Sequence, residues 1–276
     1  MNHEKIQLND GNTSPKIGFG LYLIDKNQMT ETVRTAYRVG YRLFDTASFY
    51  KNEEYFGNAL KVLNIPRGAI QIATKAWPSE LGYQGVKEAL QRSLKRLQTD
   101  YVDFYFIHWP VKDAKILSET WTAMEELKQE GLVRSVAVCN FQPHHLETIE
   151  KGHKFLPVMN QIERHPFLTQ EDVISYNRSK NIVTEAWSPL MRGNKVLNLE
   201  LIRRLSQKYG KTPAQIILNW DIQQGVVPIP KSATPSRIQE NFQALEFAMS
   251  EEDLHAVDML NQKERSDADP DSYKYG

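Results

Sequence analysis

Eight times along this chain a short run rich in β-branched and aromatic residues gives way to a longer segment with helical apolar spacing. No other feature restricts the fold as much, because alternating β and α segments at this rhythm build a parallel sheet. Residues 6–8, Asp10-Gly11 and residues 16–19 read as a small hairpin leading into a first strand. Strand-type runs then cover 41–45, 70–75, 101–108, 135–140, 158–163, 182–187 and 226–229. Helix-type segments lie between them at 28–39, 52–63, 84–97, 116–130, 143–151, 170–179 and 199–209. The helix over 84–97 carries Val86, Ala89, Leu90, Ser93, Leu94 and Leu97 on one face. Thr169 is the expected cap of the helix over 170–179. Thr212-Pro213-Ala214-Gln215 is a capping box that opens an additional helix, and Ser250 caps a second one after the helix over 236–245.

No linker or change of composition divides the 276 residues, so one domain over 1–276 is expected. Eight strand–helix units in one domain favour a closed (β/α)8 barrel, with an N-terminal β-hairpin and two additional helices. The competing architecture is an open doubly wound sheet. Against its dinucleotide-binding version, no GxGxxG follows the first strand. Hydrophobic residues make up 41%, enough for a large core. Lysine plus arginine and aspartate plus glutamate are equal at 34 each, which gives no reason to expect nucleic acid or an anionic membrane as partner. The single cysteine, Cys139, excludes an internal disulfide. No apolar run is long enough to span a bilayer, and the expectation is a cytoplasmic, monomeric protein.

In a barrel the chemistry sits at the C-terminal ends of the strands. Those positions here are Gly20 or Tyr22, Asp45, Lys75, His108, Asn140, Gln161 or Glu163, Trp187 and Lys231. The stretch RLFDTASFYKNEEYFG, residues 42–57, sends Asp45 and Tyr50 out of one strand end just before a helix. Either residue alone also suits a turn or a pocket edge. Together with Lys75 and His108 they describe a chemistry. A lysine desolvated at the mouth needs a counter-charge, which Asp45 supplies. A positive lysine lowers the pKa of a nearby phenol, so Tyr50 can hand a proton to a forming alkoxide. His108 can orient the same oxygen. The set holds no activated Ser or Cys nucleophile, no His/carboxylate cluster with metal-ligand spacing and no carboxylate pair for glycoside hydrolysis, so no metal is expected.

Carbonyl reduction by hydride needs a cofactor. The loop at 188–194 and the segment from Lys231 to Arg237 follow the last two strands, where barrels often bind phosphate. Lys231, Ser232 and Arg237 at a helix start suit a monophosphate such as the NADP 2′-phosphate, or are simply a solvated helix entry. Trp187 either stacks on a nicotinamide or packs the core.

The chain resembles an aldo-keto reductase. The residues that carry the resemblance are Asp45-Thr46-Ala47-Ser48-Phe49-Tyr50-Lys51-Asn52-Glu53, Thr74-Lys75-Ala76-Trp77, His108-Trp109-Pro110, Asn140-Phe141, Asn160-Gln161-Ile162-Glu163, and Ile229-Pro230-Lys231-Ser232 through Arg237-Ile238-Gln239-Glu240-Asn241. They span most of the chain in family order. The resemblance implies a barrel that uses NADPH and a tetrad of Asp45, Tyr50, Lys75 and His108 with Tyr50 as general acid. It implies that Asn140 and Gln161 bind the carboxamide, that Trp187 stacks on the nicotinamide, and that Ser188 and Leu190 lie along the pyrophosphate. Lys231, Ser232, Thr234 and Arg237 would hold the 2′-phosphate, and Glu240 and Asn241 the adenine. Gly20 and Leu21 would sit near the nicotinamide ribose. Cys139 stands where the family usually has a serine that helps hold the carboxamide, and a thiol is the poorer hydrogen-bonding group. Tyr22, Phe49, Trp77 and Trp109 would wall the substrate pocket beside Tyr50 and His108. The short loops and tail resemble bacterial members similar to 2,5-diketogluconate and methylglyoxal reductases. Two other readings stay open: a non-enzymatic NADP(H)-binding subunit on the same fold, and a barrel enzyme in which Lys75 forms a Schiff base.

Overall fold

The run Val-Asp-Phe-Tyr-Phe-Ile is apolar on both sides because its strand is covered on both faces, and the rest of the fold is built around such strands. The structure, a computed structural model, describes residues 5–193 and 195–273, so Asn194 and the ends of both termini lie outside the described residues. In chain order the elements are β1 (Lys5–Gln7), β2 (Thr13–Pro15), β3 (Phe19–Gly20), α1 (Lys26–Val39), β4 (Leu43–Asp45), α2 (Glu53–Val62), β5 (Gln71–Ala76), α3 (Tyr83–Leu97), β6 (Val102–Ile107), α4 (Ala114–Gln129), β7 (Val133–Cys139), α5 (Pro143–Glu150) and β8 (Met159–Glu163). They continue with α6 (Glu171–Ser179), β9 (Val183–Trp187), α7 (Glu200–Tyr209), α8 (Pro213–Gln223), β10 (Val227–Pro228), α9 (Pro235–Phe242) and α10 (Glu251–Asp258).

Strands β3 to β10 form one eight-stranded parallel sheet in sequential order. Two backbone bonds join its first and last members: Gly18 N–H to the Pro228 carbonyl at 3.0 Å and Gly20 N–H to that of Pro230 at 3.2 Å. Glycine is needed at this seam. A Cβ on Gly18 would lie 2.8 Å from Ile229 Cγ2, and one on Gly20 would lie 3.0 Å from the Ile229 carbonyl oxygen. Sequential order with joined ends leaves no switch point, so the doubly wound alternative falls and the (β/α)8 barrel stands.

Inward-facing Leu43, Ala73, Phe104, Phe106, Ala137, Met159 and Val227 fill the barrel, and Leu8 of the hairpin joins them. The outward faces of the strands pack on the helices in a larger apolar layer that includes Phe44, Ile72, Tyr105, Leu90 and Trp121. The hairpin closes the N-terminal end. Asn9 Nδ2 donates to the Pro157 carbonyl at 3.1 Å, Gln71 Nε2 to that of Thr13 at 2.7 Å, and Lys128 pairs with Asp10.

Two local expectations need correction. The second arm of the hairpin is Thr13–Pro15 rather than residues 16–19, because Phe19–Gly20 is already a barrel strand. Thr169 does not cap α6. The cap position is Gln170, left-handed at φ 52° with no side-chain cap bond, while Thr169 is buried and its carbonyl accepts from Arg164 Nε. The buried Arg164, held by Asp221 at 2.9 Å, fixes that turn from inside. The Thr212 and Ser250 caps form as read. No helix among the described residues is long and apolar enough to cross a membrane.

Gly57 on α2 is where the helical layer is tightest: an added Cβ would lie 2.7 Å from the carbonyl oxygens of Arg96 and Leu97 at the end of α3. Gly57→Ala gains about 1 kcal/mol of helix propensity but overpacks backbone at about 1–3 kcal/mol. A net loss of stability is expected, read as a lower urea midpoint. An unchanged or higher midpoint would mean that the two helices part freely.

Candidate active site

β4 delivers Asp45, and the chain then turns at once through a 3-10 turn, Ser48–Tyr50, that Lys51 ends in the left-handed region at φ 55°. Side chains lock this turn from two directions. Thr46 Oγ1 donates to Asn52 Oδ1 at 2.6 Å, and Asn52 Nδ2 donates to the Leu21 carbonyl at 2.8 Å. Ser48 Oγ donates to Glu80 Oε2 at 2.6 Å, and the same oxygen accepts the Trp77 N–H at 2.9 Å. Glu80, a residue that the strand-end pattern does not single out, thereby ties the Tyr50 turn to the loop after β5.

Lys75 lies wholly inside the barrel mouth. Its three ammonium protons go to Asp45 Oδ1 and Oδ2, both at 2.6 Å, and to the Thr46 carbonyl at 3.0 Å. Burial works against the ammonium, but Asp45, Tyr50 and Cys139 together outweigh it, and Lys75 stays charged above its ordinary range. Its Nζ lies 5.1 Å from the centroid of the Tyr50 ring. The lysine was expected to lower the pKa of Tyr50. It does pull in that direction, but burial pushes the phenol up by more and Asp45 adds to the push, so Tyr50 is held protonated. His108 lies edge-on to Tyr50, 5.6 Å between centroids at 80°. Burial and then Lys75 push its pKa well below the usual histidine value, so it is a neutral imidazole.

A second set of groups lies deeper. Gln161 Nε2 donates to Asp45 Oδ2 at 3.0 Å and to Glu185 Oε2 at 2.5 Å. The Cys139 thiol donates to Gln161 Oε1 across 3.6 Å, and burial holds that thiol protonated. Asn140, left-handed at φ 65°, donates from Nδ2 to the His108 carbonyl at 3.0 Å and accepts the Trp187 Nε1–H at 2.8 Å. Its amide therefore fixes the Trp187 ring and the His108 loop. Glu185 escaped the strand-end reading because it sits two residues before Trp187 within β9. Burial and then Asp45 push its carboxyl up to about 8.

Aromatic rings wall the mouth. Phe49 stacks on Trp77 at 3.9 Å and 13°, Trp77 meets His108 edge-on at 5.0 Å, and Tyr22 lies 4.8 Å from the Tyr50 ring. Trp109 is buried because Tyr273 of the C-terminal tail stacks on it at 4.4 Å and 23°. The tail reads as irregular in sequence, and only its aromatic residues hint at this docking. Ser266 holds it down through Glu163, whose Oε1 accepts the Ser266 N–H at 2.7 Å. Farther along the tail, Asp271 Oδ1 lies 3.1 Å from His144 Nε2 and 3.6 Å from His145 Nε2. Although the three could surround an ion, His145 Nδ1 accepts the Gln142 N–H, so its ring proton sits on Nε2 and His145 offers the cluster no lone pair.

The other expected cofactor residues lie along the loops after β9 and β10. Ser188 is left-handed at φ 53° with a buried hydroxyl that has no hydrogen-bond partner among the described residues. Lys231, Thr234 and Arg237 are exposed around the start of α9, and Lys231 and Arg237 have no ion-pair partner among the described residues. Ser232 Oγ accepts the Thr234 N–H at 3.1 Å. Glu240 Oε1 accepts from Thr212 Oγ1 at 2.6 Å, which ties α9 to α8, and Asn241 is buried beside it. Leu190 packs on the cluster around Trp220. The Leu21 side chain is fully buried in the outer core, so it faces away from the mouth, whereas Gly20 lies at the barrel seam.

The aldo/keto reductase family matches residues 16–262. The chain belongs to the aldo/keto reductase family. It is 44% identical to methylglyoxal reductase DkgA of Escherichia coli (strain K12), with 97% of each chain covered. It is 42% identical to the glyoxal reductase of Bacillus subtilis (strain 168), covering 97% of this chain and 96% of that one. Among solved structures it is similar to a mutant of Gox0644 in complex with NADPH, at TM-score 0.94 and 37% identity with both chains fully covered. An aldo/keto reductase from Brucella melitensis aligns at TM-score 0.90 and 40% identity over 94% of this chain and 100% of that one.

In this aldo/keto reductase the buried pair has a measurable signature. Asp45→Asn leaves the Lys75 charge uncompensated and is expected to destabilise by about 3–5 kcal/mol, most of which Asp45→Asn combined with Lys75→Met recovers. Equal losses in the single and double variants, measured by urea denaturation, would show that the pair is not the cause. Glu185 has the opposite pH signature to a salt-bridged acid. Its folded pKa is raised, so it weakens the fold increasingly as pH climbs from about 4.5 to about 8, where the unfolded chain has released the proton and the folded one retains it. Relative to Glu185→Gln, the wild type should therefore lose stability between pH 5 and 8, and parallel stability curves would mean that Glu185 is ionised in the fold.

Proposed function

We propose that this protein is an NADPH-dependent reductase that converts small aldehydes and ketones to alcohols, with Tyr50 as the general acid. The observation that carries this reading is Tyr50 kept protonated beside a charged Lys75 that Asp45 neutralises, with a neutral His108 at its edge. Bound NADPH supplies the hydride. Tyr50 gives its proton to the carbonyl oxygen as that oxygen gains electrons. Lys75 then stands against the resulting phenolate, and Asp45 keeps it in place. His108 donates a hydrogen bond to the same oxygen and orients it. Lys75 is a poor candidate for a Schiff base, because all three of its protons are donated and the amine stays charged.

The chain's own residues fit the cofactor. Trp187 is half-buried with its face fixed by Asn140, and the Ser188 hydroxyl, unpartnered among the described residues, lies beside it. Lys231 and Arg237, without an ion-pair partner among the described residues, supply positive charge at a helix start, with Ser232 and Thr234 between them, which suits a 2′-phosphate. Gln161 is assigned to the carboxamide, and Asn241 to the adenine end. Tyr22, Phe49, Trp77 and Trp109 line the substrate side. The relatives named for methylglyoxal and glyoxal favour small dicarbonyl substrates, which flat aromatic walls accommodate. Every group comes from one chain, so a monomer suffices.

NADPH consumption with methylglyoxal, glyoxal and a panel of simple aldehydes and ketones tests the proposal. Tyr50→Phe should lower kcat by roughly 10²–10⁴ while it binds NADPH as the wild type does. Arg237→Met should weaken NADPH more than NADH. A Tyr50→Phe enzyme that keeps the wild-type rate would remove Tyr50 from the mechanism, and a wild type that binds no NADPH would remove the reading as a whole.

A further inference from the structure

Lys75 offers one positive charge at the mouth, and Asp45 takes it on both oxygens while the Thr46 carbonyl takes the third proton. Nothing remains for Glu185, which is fully enclosed and has one carboxyl oxygen, Oε1, without a hydrogen-bond partner among the described residues. Its other oxygen meets Gln161 Nε2 at 2.5 Å, and the second hydrogen of that amide goes to Asp45 Oδ2 at 3.0 Å. A primary amide has two N–H donors and one carbonyl, so both donors of Gln161 are committed inward. The reversed amide would set its oxygen against Asp45, the ionised partner of Lys75, and would take away the donor that Asp45 Oδ2 now accepts. Gln161 Oε1 is consequently the atom that remains for anything bound above. Among the described residues it meets only the Cys139 thiol, a weak donor at 3.6 Å.

We propose that Glu185 is a positioning residue for the cofactor: it locks the Gln161 amide so that an acceptor oxygen, and not a donor, faces the carboxamide of the nicotinamide. The inference rests on the proposed use of NADPH. An acceptor at that point pairs with the NH2 side of a carboxamide and repels its C=O side, so it selects between the two ways the group can lie. Asp45 alone anchors one of the two amide hydrogens, and Glu185 supplies the second anchor. Cys139 strengthens the dependence, because a thiol holds the amide oxygen more weakly than a hydroxyl would.

The test compares Glu185→Leu, which removes the anchor, with Glu185→Gln, which keeps an uncharged acceptor in place. NADPH affinity is read from quenching of tryptophan fluorescence, and hydride selectivity from NADPH deuterated on one or the other face of C4. Glu185→Leu should raise the NADPH Kd roughly tenfold and let deuterium transfer from both faces, with an unfolding midpoint no lower than that of the wild type. Glu185→Gln should restore both properties. Wild-type affinity and selectivity in Glu185→Leu would overturn the inference while leaving the reductase reading intact. Equal impairment in the two variants would also overturn it, since an acceptor at that point would then not be what holds the amide. A wild type that binds no NADPH would overturn both.

Discussion

The buried ion pair between Lys75 and Asp45 is the constraint to which the mouth of this barrel answers. An ammonium inside a packed barrel is tolerable only with a close counter-charge and every proton bonded. Asp45 and the Thr46 carbonyl meet both conditions from the neighbouring strand and the residue after it. The same pair places a fixed positive charge against the Tyr50 ring. Two opposing effects then set the state of the phenol. Burial holds the proton on, and the ammonium makes the anion that follows its loss less costly. A phenol that is protonated at rest and relieved after transfer is what a general acid requires.

One positive charge also limits what else the barrel can hold. The lower layers are filled by side chains such as Leu43, Ala73, Phe104 and Phe106. Above them Cys139, Gln161 and Glu185 face inward with Asp45 and Lys75. Two ionised carboxylates against one ammonium would leave an uncompensated charge in this enclosed space, so Glu185 keeps its proton and serves as an acceptor for Gln161. The network is polar without carrying net charge, which reconciles it with burial.

The architecture was legible because its signals are local and repeated. Strand-type runs and helical periodicity recur in order, and the caps at Thr212 and Ser250 follow from side chains that bond within three residues. The cap misplaced at Thr169 shows the limit, for there the turn is governed by Arg164 and, across the fold, by Asp221. The convergence of Asp45, Tyr50, Lys75 and His108 was legible because each lies at a strand end or just beyond one, and those ends meet at the barrel mouth. Glu80, Glu185 and Tyr273 were not. Glu80 lies in a 3-10 turn, Glu185 within a strand, and Tyr273 in a polar tail, and each acquires its part from partners far along the chain, as Ser48 and Glu80, 32 residues apart, and Gln161 and Glu185, 24 apart, illustrate.

The sequence by itself determined the number and order of the strands, the residue types at their ends, and therefore the class of chemistry, since these depend on patterns within a few residues. Tertiary structure alone decided the protonation states and orientations. Lys75 was expected to acidify Tyr50, but enclosure outweighs it, and enclosure is a property of the closed barrel. The closure itself rests on two backbone bonds between segments at opposite ends of the chain, beside glycines at 18 and 20. Dielectric environment and hydrogen-bond direction arise from groups brought together across the whole fold, and no local pattern encodes them.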